Sequence, residues 1–209
     1  MPPKVKFQKE EIVRAALDVV REKGLDAVTA REVASKLHVS TRPIFTWFAS
    51  MEQLKGEVYA LAKERYREYI ERGLHEQIPF LGVWQQYIRF AKEERELYKL
   101  LFLTKPSAAI GSATDALQLS QDLVRESLMR IYHLDANTAD CYFRDLWLVA
   151  FSFGTLIVTD DCPYSDQEIF SIGAEISLSV CRAFKEIPGL AANNYDRNAV
   201  FSQLVEEAR

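Results

Sequence analysis

Apolar side chains recur along this chain at the three- and four-residue spacing of amphipathic helices. The first such stretch predicts a helix from Lys9 to Lys23, because five apolar residues share one stripe of it: Ile12, Val13, Ala16, Leu17 and Val20. No stretch shows the two-residue alternation that is typical of a half-buried β-strand. The pattern therefore predicts an all-α fold.

Helix-capping residues mark where the other helices begin. In a capping box, a Ser or Thr and a Glu or Gln three residues later each bind a free backbone N–H of the other. Three pairs fit this pattern: Thr29 with Glu32, Ser50 with Gln53, and Ser165 with Glu168. Together with the apolar spacing they predict helices from Ala30, over 41–48, 51–75, 80–93, 95–104, 113–133, 136–160 and 166–186, and a short one near 199–207.

The first 50 residues predict three short helices, of which the second and third are joined by the turn His38-Val39-Ser40. Ser40 is a suitable N-cap for the third helix, and Pro43 is tolerated in its first turn. This arrangement is typical of a helix-turn-helix head, in which the later helix lies in the major groove of DNA. The predicted fold is thus a three-helix head followed by a helical bundle.

The exposed side of the third helix carries residue types that suit DNA. Arg42 can bind a guanine edge or a phosphate, and hydroxyls and flat rings suit phosphates and thymine methyls. The free N–H groups at the starts of the second and fourth helices, Ala30–Glu32 and Met51–Gln53, suit phosphates as well. We expect DNA contacts from Thr29, Arg31, Ser40, Thr41, Arg42, Pro43, Phe45, Thr46, Trp47 and Lys55.

The distribution of charge agrees with a DNA-binding head. Residues 1–56 hold 10 Lys or Arg and 7 Asp or Glu, whereas residues 57–209 hold 16 and 23. The net charge of the whole chain, −4, hides this basic first quarter, and phosphate contacts depend on the local surface. Lys4 and Lys6 either form a solvated tail or a DNA-contacting arm.

The run from Val28 to Ala34, followed by 37–48 and 50–54, resembles the DNA-binding signature of the tetracycline-repressor (TetR) family. The resemblance covers residues 10–55 and implies a homodimer that binds palindromic operator DNA and a helical body that binds a small effector. Three positions depart from the family pattern: His38 replaces a common glycine, Phe45 a tyrosine, and Met51 a lysine. The last two remove phosphate contacts, so we expect a weaker salt dependence.

Several residues of the head permit two interpretations. His38 is either a left-handed turn residue, for which His is suited, or a base-reading side chain. Trp47 either covers the core or touches DNA. The three helices together could also be a purely structural packing unit, although the exposed Thr, Arg and Trp side chains favour DNA binding.

Large aromatic residues are frequent in the remaining helices. They are either core or the wall of a ligand pocket, in which Trp and Tyr supply both apolar surface and polar atoms. We place an effector pocket among Tyr59, Trp84, Tyr87, Phe102, Leu128 and Phe153. The scarcity of charge around it predicts an apolar or aromatic effector, although Arg125 and Arg144 could admit an anion.

The segment Leu146–Val158 is apolar on all sides of its helix, so it must be covered on both sides. A partner subunit could supply the second cover, and the two-fold symmetry of a dimer suits a palindromic operator. The alternative is the central helix of a monomer. We expect a dimer interface from Trp147, Phe151, Gly154, Thr155, Val158, Ile169, Gly173, Ile176 and Val180.

Other classes of protein find little support in the sequence. The longest nearly uncharged run has 13 residues, too few for a membrane helix, and no secretory signal is visible, so we expect a cytoplasmic protein. No catalytic or cofactor motif appears, and the three cysteines suggest neither disulfides nor a metal site. An exposed Cys162 could sense oxidants, but the flanking carboxylates oppose formation of the reactive thiolate. We therefore expect no enzyme activity, no cofactor and no metal.

The expected domains are 1–54 for DNA binding, 55–187 for effector binding and dimerisation, and 188–209 as a tail or short helix. The leading interpretation is a repressor released by a small effector. The alternative is a DNA- or protein-binding module of the same fold with a filled core and no effector.

Overall fold

The structure, a computed structural model, describes residues 7–207, and side chains as far as Val205. This part of the chain contains ten α-helices and no β-strand, which confirms the all-α prediction. Three helices form the head: α1 (Lys9–Lys23), α2 (Ala30–Lys36) and α3 (Arg42–Trp47). The body follows with α4 (Met51–Leu74), α5 (Pro79–Glu93), α6 (Arg95–Tyr98), α7 (Ala113–Tyr132), α8 (Ala136–Val158) and α9 (Asp166–Glu186), and α10 (Arg197–Glu207) comes last.

The capping residues start the helices largely as predicted. At the start of α9, Ser165 Oγ accepts from the N–H of Glu168 at 3.3 Å, and Glu168 accepts from the N–H of Ser165 at 2.8 Å. Thr29 and Ser50 form only the first half of their boxes, because Glu32 instead binds Lys23 and Gln53 binds the N–H of Ala49. The expected helix 95–104 is divided into α6 and one π-helical turn, Lys99–Leu103.

The long helix α5 lies at the centre of the body, where it packs on α4 and α8 and contacts α9. At the turn between α4 and α5 the two backbones touch. A Cβ at Gly73 would lie 2.5 Å from the backbone of Val83, so only glycine permits this approach. The core around α5 is rich in tyrosines, whose hydroxyl groups form hydrogen bonds with other buried hydroxyls. Tyr66 binds Ser120 at 2.7 Å, and Tyr87 binds Tyr98 at 3.1 Å.

The helix α8 is covered inside the protomer on most of its surface. With 23 residues it is long and apolar enough to cross a membrane by length and composition, which the uncharged run of 13 residues did not reveal. However, 56% of its most apolar window is buried against the rest of the protomer, as in the core helix of a globular protein. Its outer face bears Leu148, which is 52% exposed, and Ser152.

Candidate DNA interface and effector site

A closed turn holds α2 and α3 at a fixed angle. The N–H of Val39 donates to the carbonyl of Ala34 at 3.0 Å, and the N–H of His38 donates to that of Ser35 at 3.1 Å. This pair of bonds defines a Schellman motif, in which the residue at the position of His38 is left-handed and usually glycine. His38 has a φ of 56°, which confirms its interpretation as a left-handed turn residue.

The third helix begins one residue later than expected. Ser40 is not its N-cap; Thr41 takes that position, and its side chain forms no capping bond. A capping side chain binds the N–H two or three positions further on, and from Ser40 the third position is Pro43, which has no N–H. The backbone carbonyl of Thr41 instead accepts from the N–H of Ile44 at 3.2 Å.

The two sides of α3 divide cleanly between core and solvent. Ile44 and Phe48 are buried in the core, whereas Phe45 and Trp47 are 53% and 46% exposed. The ten residues expected to contact DNA are all exposed or partly exposed: Thr29, Arg31, Ser40, Thr41, Arg42, Pro43, Phe45, Thr46, Trp47 and Lys55. The structure thus permits the predicted contacts, and they stay predictions.

The structure leaves Trp47 available for DNA contact and also ties it to the rest of the head. Its ring is half exposed on α3, and its Nε1 donates to the backbone carbonyl of Phe7 at 2.9 Å. This bond fastens the first described residue, Phe7, beside α3. Lys4 and Lys6, the candidate arm, lie outside the described residues.

The helices α2 and α3 each carry an arginine that forms no ion pair within the described part of the chain. Glu32 binds Lys23 at 2.6 Å and raises the pKa of that amine, while Lys36 binds Glu22 and lowers the pKa of that carboxyl. A carboxylate thus balances the positive charge of each of these two lysines. Arg31 and Arg42 are exposed and, among residues 7–207, have no carboxylate within 4.0 Å. They are free to bind phosphate or a base edge.

Two of the expected phosphate-binding N–H groups are already occupied. The N–H of Glu32 donates to Thr29 and that of Gln53 to Ser50, each at 3.2 Å. The N–H groups before them at each helix start are left for phosphate. Lys55 lies nearby on α4, with its Nζ 3.6 Å from Glu52.

The residues expected to form an effector pocket are all buried, but they do not share one cavity. Trp84 and Tyr87 line an internal cavity of about 20 Å³ between α4, α5 and α8. The ring of Phe153 lies 6.1 Å from that of Trp84, and the ring of Phe102 lies 5.7 Å from that of Tyr87. These four residues form one neighbourhood.

Tyr59 and Leu128 lie elsewhere. Leu128 lines a separate void of about 10 Å³ between α5 and α7, and Tyr59 packs beside Gly111. Arg125 and Arg144 do not offer free charges for an anion, because Asp140 and Asp145 bind them at 2.7 Å. Spacing along one helix shows which residues share its face, but it does not show which other helix meets that face.

A larger opening, which the sequence did not reveal, lies between α5 and α9. This cleft has a volume of about 470 Å³, and its lining residues are Trp84, Gln85, Ile88, Arg89, Lys92, Glu93, Asp166, Ile169 and Phe170. Only Trp84 was expected to contact an effector. Because the cleft joins helices that are separated by more than 70 residues, sequence spacing carries no signal of it.

The expected dimer interface requires a correction. Five of its nine residues face the core of their own protomer: Trp147, Gly154, Val158, Ile169 and Gly173. Gly154 lies against the ring of Tyr98, and Gly173 against the indole of Trp84, where an added Cβ would be 2.4 Å and 2.3 Å from them. Phe151, Thr155, Ile176 and Val180 remain partly exposed.

The described residues include no group of three or more His, Cys, Asp or Glu that could hold a metal ion. Cys162, expected to be exposed, is half-buried and packs against the core. Its thiol lies 3.8 Å from the carbonyl of Tyr164.

A helix-turn-helix head on a helical body is an arrangement typical of DNA-binding transcriptional regulators. Residues 12–58 match the family model of the bacterial regulatory proteins of the tetR family. This match, which spans the head and the first residues of α4, confirms the resemblance that the sequence shows.

Most of the chain shares its fold with a TetR family repressor. This protein is AlkX from Dietzia sp. strain DQ12-45-1b, implicated in biodegradation of n-alkanes. The two structures superpose with a TM-score of 0.50 and 12% sequence identity, over 86% of this chain and 98% of AlkX. No curated protein matches the chain. At this identity the likeness concerns the fold.

Proposed function

We propose that the chain acts as a homodimeric repressor in the cytoplasm, which binds operator DNA through α3 and is released by a small apolar or aromatic effector. One observation carries the proposal: the outer side of α3 presents Arg42 without an ion pair among the described residues, beside half-exposed aromatic rings. Such a short, rigid, cationic helix suits direct contact with base edges. The proposed division is 1–54 for DNA, 55–187 for effector and dimer, and 188–209 as the tail.

Exposed leucines on α8 and α9 support the dimer. Leu148 and Leu178 are 52% and 57% exposed, although their neighbours on the inner sides of the same helices are buried. Large apolar patches on a protein surface are often binding sites. We place these two leucines in the interface together with Phe151, Thr155, Ile176 and Val180, so that two helices of each protomer form a four-helix bundle. The symmetry of this arrangement suits two operator half-sites.

The proposed regulation is a population shift. The two copies of α3 must lie about 34 Å apart, or a multiple of this, to enter successive major grooves. An effector that prefers a conformation with another spacing lowers operator affinity, by no more than its difference in affinity for the two conformations. Neither the proposal nor this mechanism requires catalysis, a cofactor or a membrane.

Selection of DNA fragments by the purified protein identifies the operator, and a gel shift then measures affinity. Arg42→Ala should weaken binding of the selected operator by at least about 10-fold, the loss expected from one bidentate base contact. Arg130→Ala is the matched control, because Arg130 is also exposed but lies on α7. Unchanged operator selectivity of the Arg42→Ala protein would contradict the proposal.

A second candidate is a DNA- or protein-binding module without an effector. The small internal cavity favours it, because about 20 Å³ holds little more than one water molecule. Thermal unfolding in the presence of a panel of apolar compounds separates the two candidates. Stabilisation by any of them favours the effector-controlled repressor, and no stabilisation by any favours the module.

A further inference from the structure

The cleft between α5 and α9 has the size of a small-molecule site. Its volume of about 470 Å³ lies within the range of about 300–1,000 Å³ that such sites occupy. Its floor is apolar and is formed by Ile88 on α5 and by Ile169 and Phe170 on α9. The internal cavity, by contrast, is too small for any organic ligand in this conformation.

Trp84 separates the cleft from the internal cavity, because it is a lining residue of both. The residue is 3% exposed, and its Nε1 is buried without a hydrogen-bond partner. An unsatisfied buried donor is costly, so an acceptor that reaches it gains binding free energy. Gly173 contributes to this arrangement, since a Cβ there would lie 2.6 Å from Nε1 and displace the indole.

The charges at the rim of the cleft cancel one another. Lys92 on α5 binds Asp166, the first residue of α9, across the cleft, and Arg89 binds Glu93 at 2.6 Å. The rim therefore carries two cations and two carboxylates, and it offers no net attraction to an ion. Burial also raises the pKa of Tyr87 behind Trp84, so this phenol stays neutral.

We propose that the cleft between α5 and α9 binds a flat, uncharged apolar molecule with a hydrogen-bond acceptor, which accepts from Trp84 Nε1. The Trp84 ring acts as a gate: its rotation joins the cleft to the internal cavity. This inference rests on the proposed function, because it identifies the effector site of the repressor.

The position of the cleft explains how a ligand bound there could change the position of the head. Glu93 lines the cleft, and the next residue, Glu94, binds Arg21 of α1 with two hydrogen bonds of 2.8 Å. Separation of α9 from α5 also breaks the pair between Lys92 and Asp166. A shift at this end of α5 is therefore passed directly to α1.

The fluorescent ketone 6-propionyl-2-(dimethylamino)naphthalene is a suitable probe, because it is flat and uncharged and its emission moves to the blue in apolar sites. Its parent 2-(dimethylamino)naphthalene lacks the carbonyl acceptor. Titration of both into the full chain should give one bound ketone per protomer. Trp84→Phe keeps a ring but removes the N–H, so the ratio of ketone affinity to parent affinity should fall about 3- to 10-fold.

Two further variants test the place of binding. Asp166→Asn removes the ion pair across the cleft while Asp166 is exposed, so the fold should persist and both probes should bind more tightly. Trp47→Phe, the same change in the head, should leave both affinities as they are. Circular dichroism checks that each variant is folded.

An unchanged affinity ratio in folded Trp84→Phe protein would overturn the proposal. Failure of both probes to bind either the natural sequence or the Asp166→Asn variant would overturn it as well. Neither result touches operator binding, which a gel shift without any probe measures separately. The proposal for the effector site and the proposal for DNA binding can therefore be contradicted separately.

Discussion

Arg21 of the head binds the carboxylate of Glu94 in the body through two parallel hydrogen bonds, each 2.8 Å long. Arg65 of α4 donates a third bond to the same carboxylate at 3.0 Å. Glu94 is only 8% exposed, and it lies where α5 ends and α6 begins. Residues from α1, from α4 and from the end of α5 thus meet at the buried carboxylate of Glu94.

Loss of Arg21 should loosen the head from the body. Arg21→Ala removes two charge-assisted hydrogen bonds but leaves Glu94 paired with Arg65, and Arg21 itself is about one-third exposed. We expect the free energy of unfolding to fall by about 1–2 kcal/mol in urea denaturation. Amide protons of α1 should also exchange faster. Arg14→Ala, on the exposed side of the same helix, is the control; equal effects of the two changes would contradict a coupling role.

Glycine at position 38 should stabilise the head. His38 has a φ of 56°, a conformation in which an L-residue with a Cβ is strained and glycine is not. We expect His38→Gly to raise the free energy of unfolding by about 0.5–1 kcal/mol. His75, which also follows a helix but has a φ of −89°, provides the control. His75→Gly should not raise the free energy of unfolding. A similar increase for both variants would contradict the inference that the backbone is strained at His38.

The start of α9 should make stability depend on pH in the acid range. The N–H and hydroxyl of Ser165 bind Glu168 and lower the pKa of its carboxyl below the ordinary value of 4.5. Because the folded pKa is the lower one, this contribution is complete above pH 4.5 and is lost as the pH falls through the folded pKa.

Melting temperatures of the natural sequence and of Glu168→Gln measure this contribution. The difference between the two proteins should be largest near neutral pH and should close below about pH 4. Glu175→Gln, in the middle of the same helix, serves as the comparison. A difference for Glu168→Gln that persists undiminished in acid would show that the capping carboxylate is not its source.

A charge at the proposed dimer face should separate the protomers. Leu148→Asp and Leu178→Asp each place a carboxylate where the interface would be dry, and burial of an unpaired charge is costly. Sedimentation equilibrium should show a 24.0 kDa species for both variants and twice that mass for the natural sequence. Ile78, 50% exposed in the turn before α5, gives the control variant Ile78→Asp, which should stay dimeric. A natural sequence that sediments as a single protomer would refute the dimer.

Local signals in the sequence predicted the helices well. Ser165 and Glu168 form their capping box because both partners lie within four residues of each other. The same kind of reasoning failed at Ser40, since it did not consider that Pro43 has no N–H for that cap. Such a conflict between two local rules is visible in the sequence and could have been found there.

Contacts between distant helices could not be predicted. Residues on the inner side of α8 were expected in the dimer interface because the helix is apolar all round, so its periodicity does not distinguish the core from a partner. The decisive contact, Gly154 against Tyr98, joins residues 56 positions apart. Arg21 and Glu94 are 73 positions apart, and nothing in the sequence marks either as the partner of the other.

The helix α3, which we propose reads the DNA, has only six residues, far fewer than the roughly 12–15 that an isolated helix needs to persist in water. It exists because Ile44 and Phe48 are packed beneath it. Substitutions that weaken this packing should therefore lower operator occupancy without removing a single contact to DNA. By mass action, a bound duplex should in turn raise the melting temperature of the head. The operator should therefore stabilise the folded state of α3, the helix that we expect to bind it.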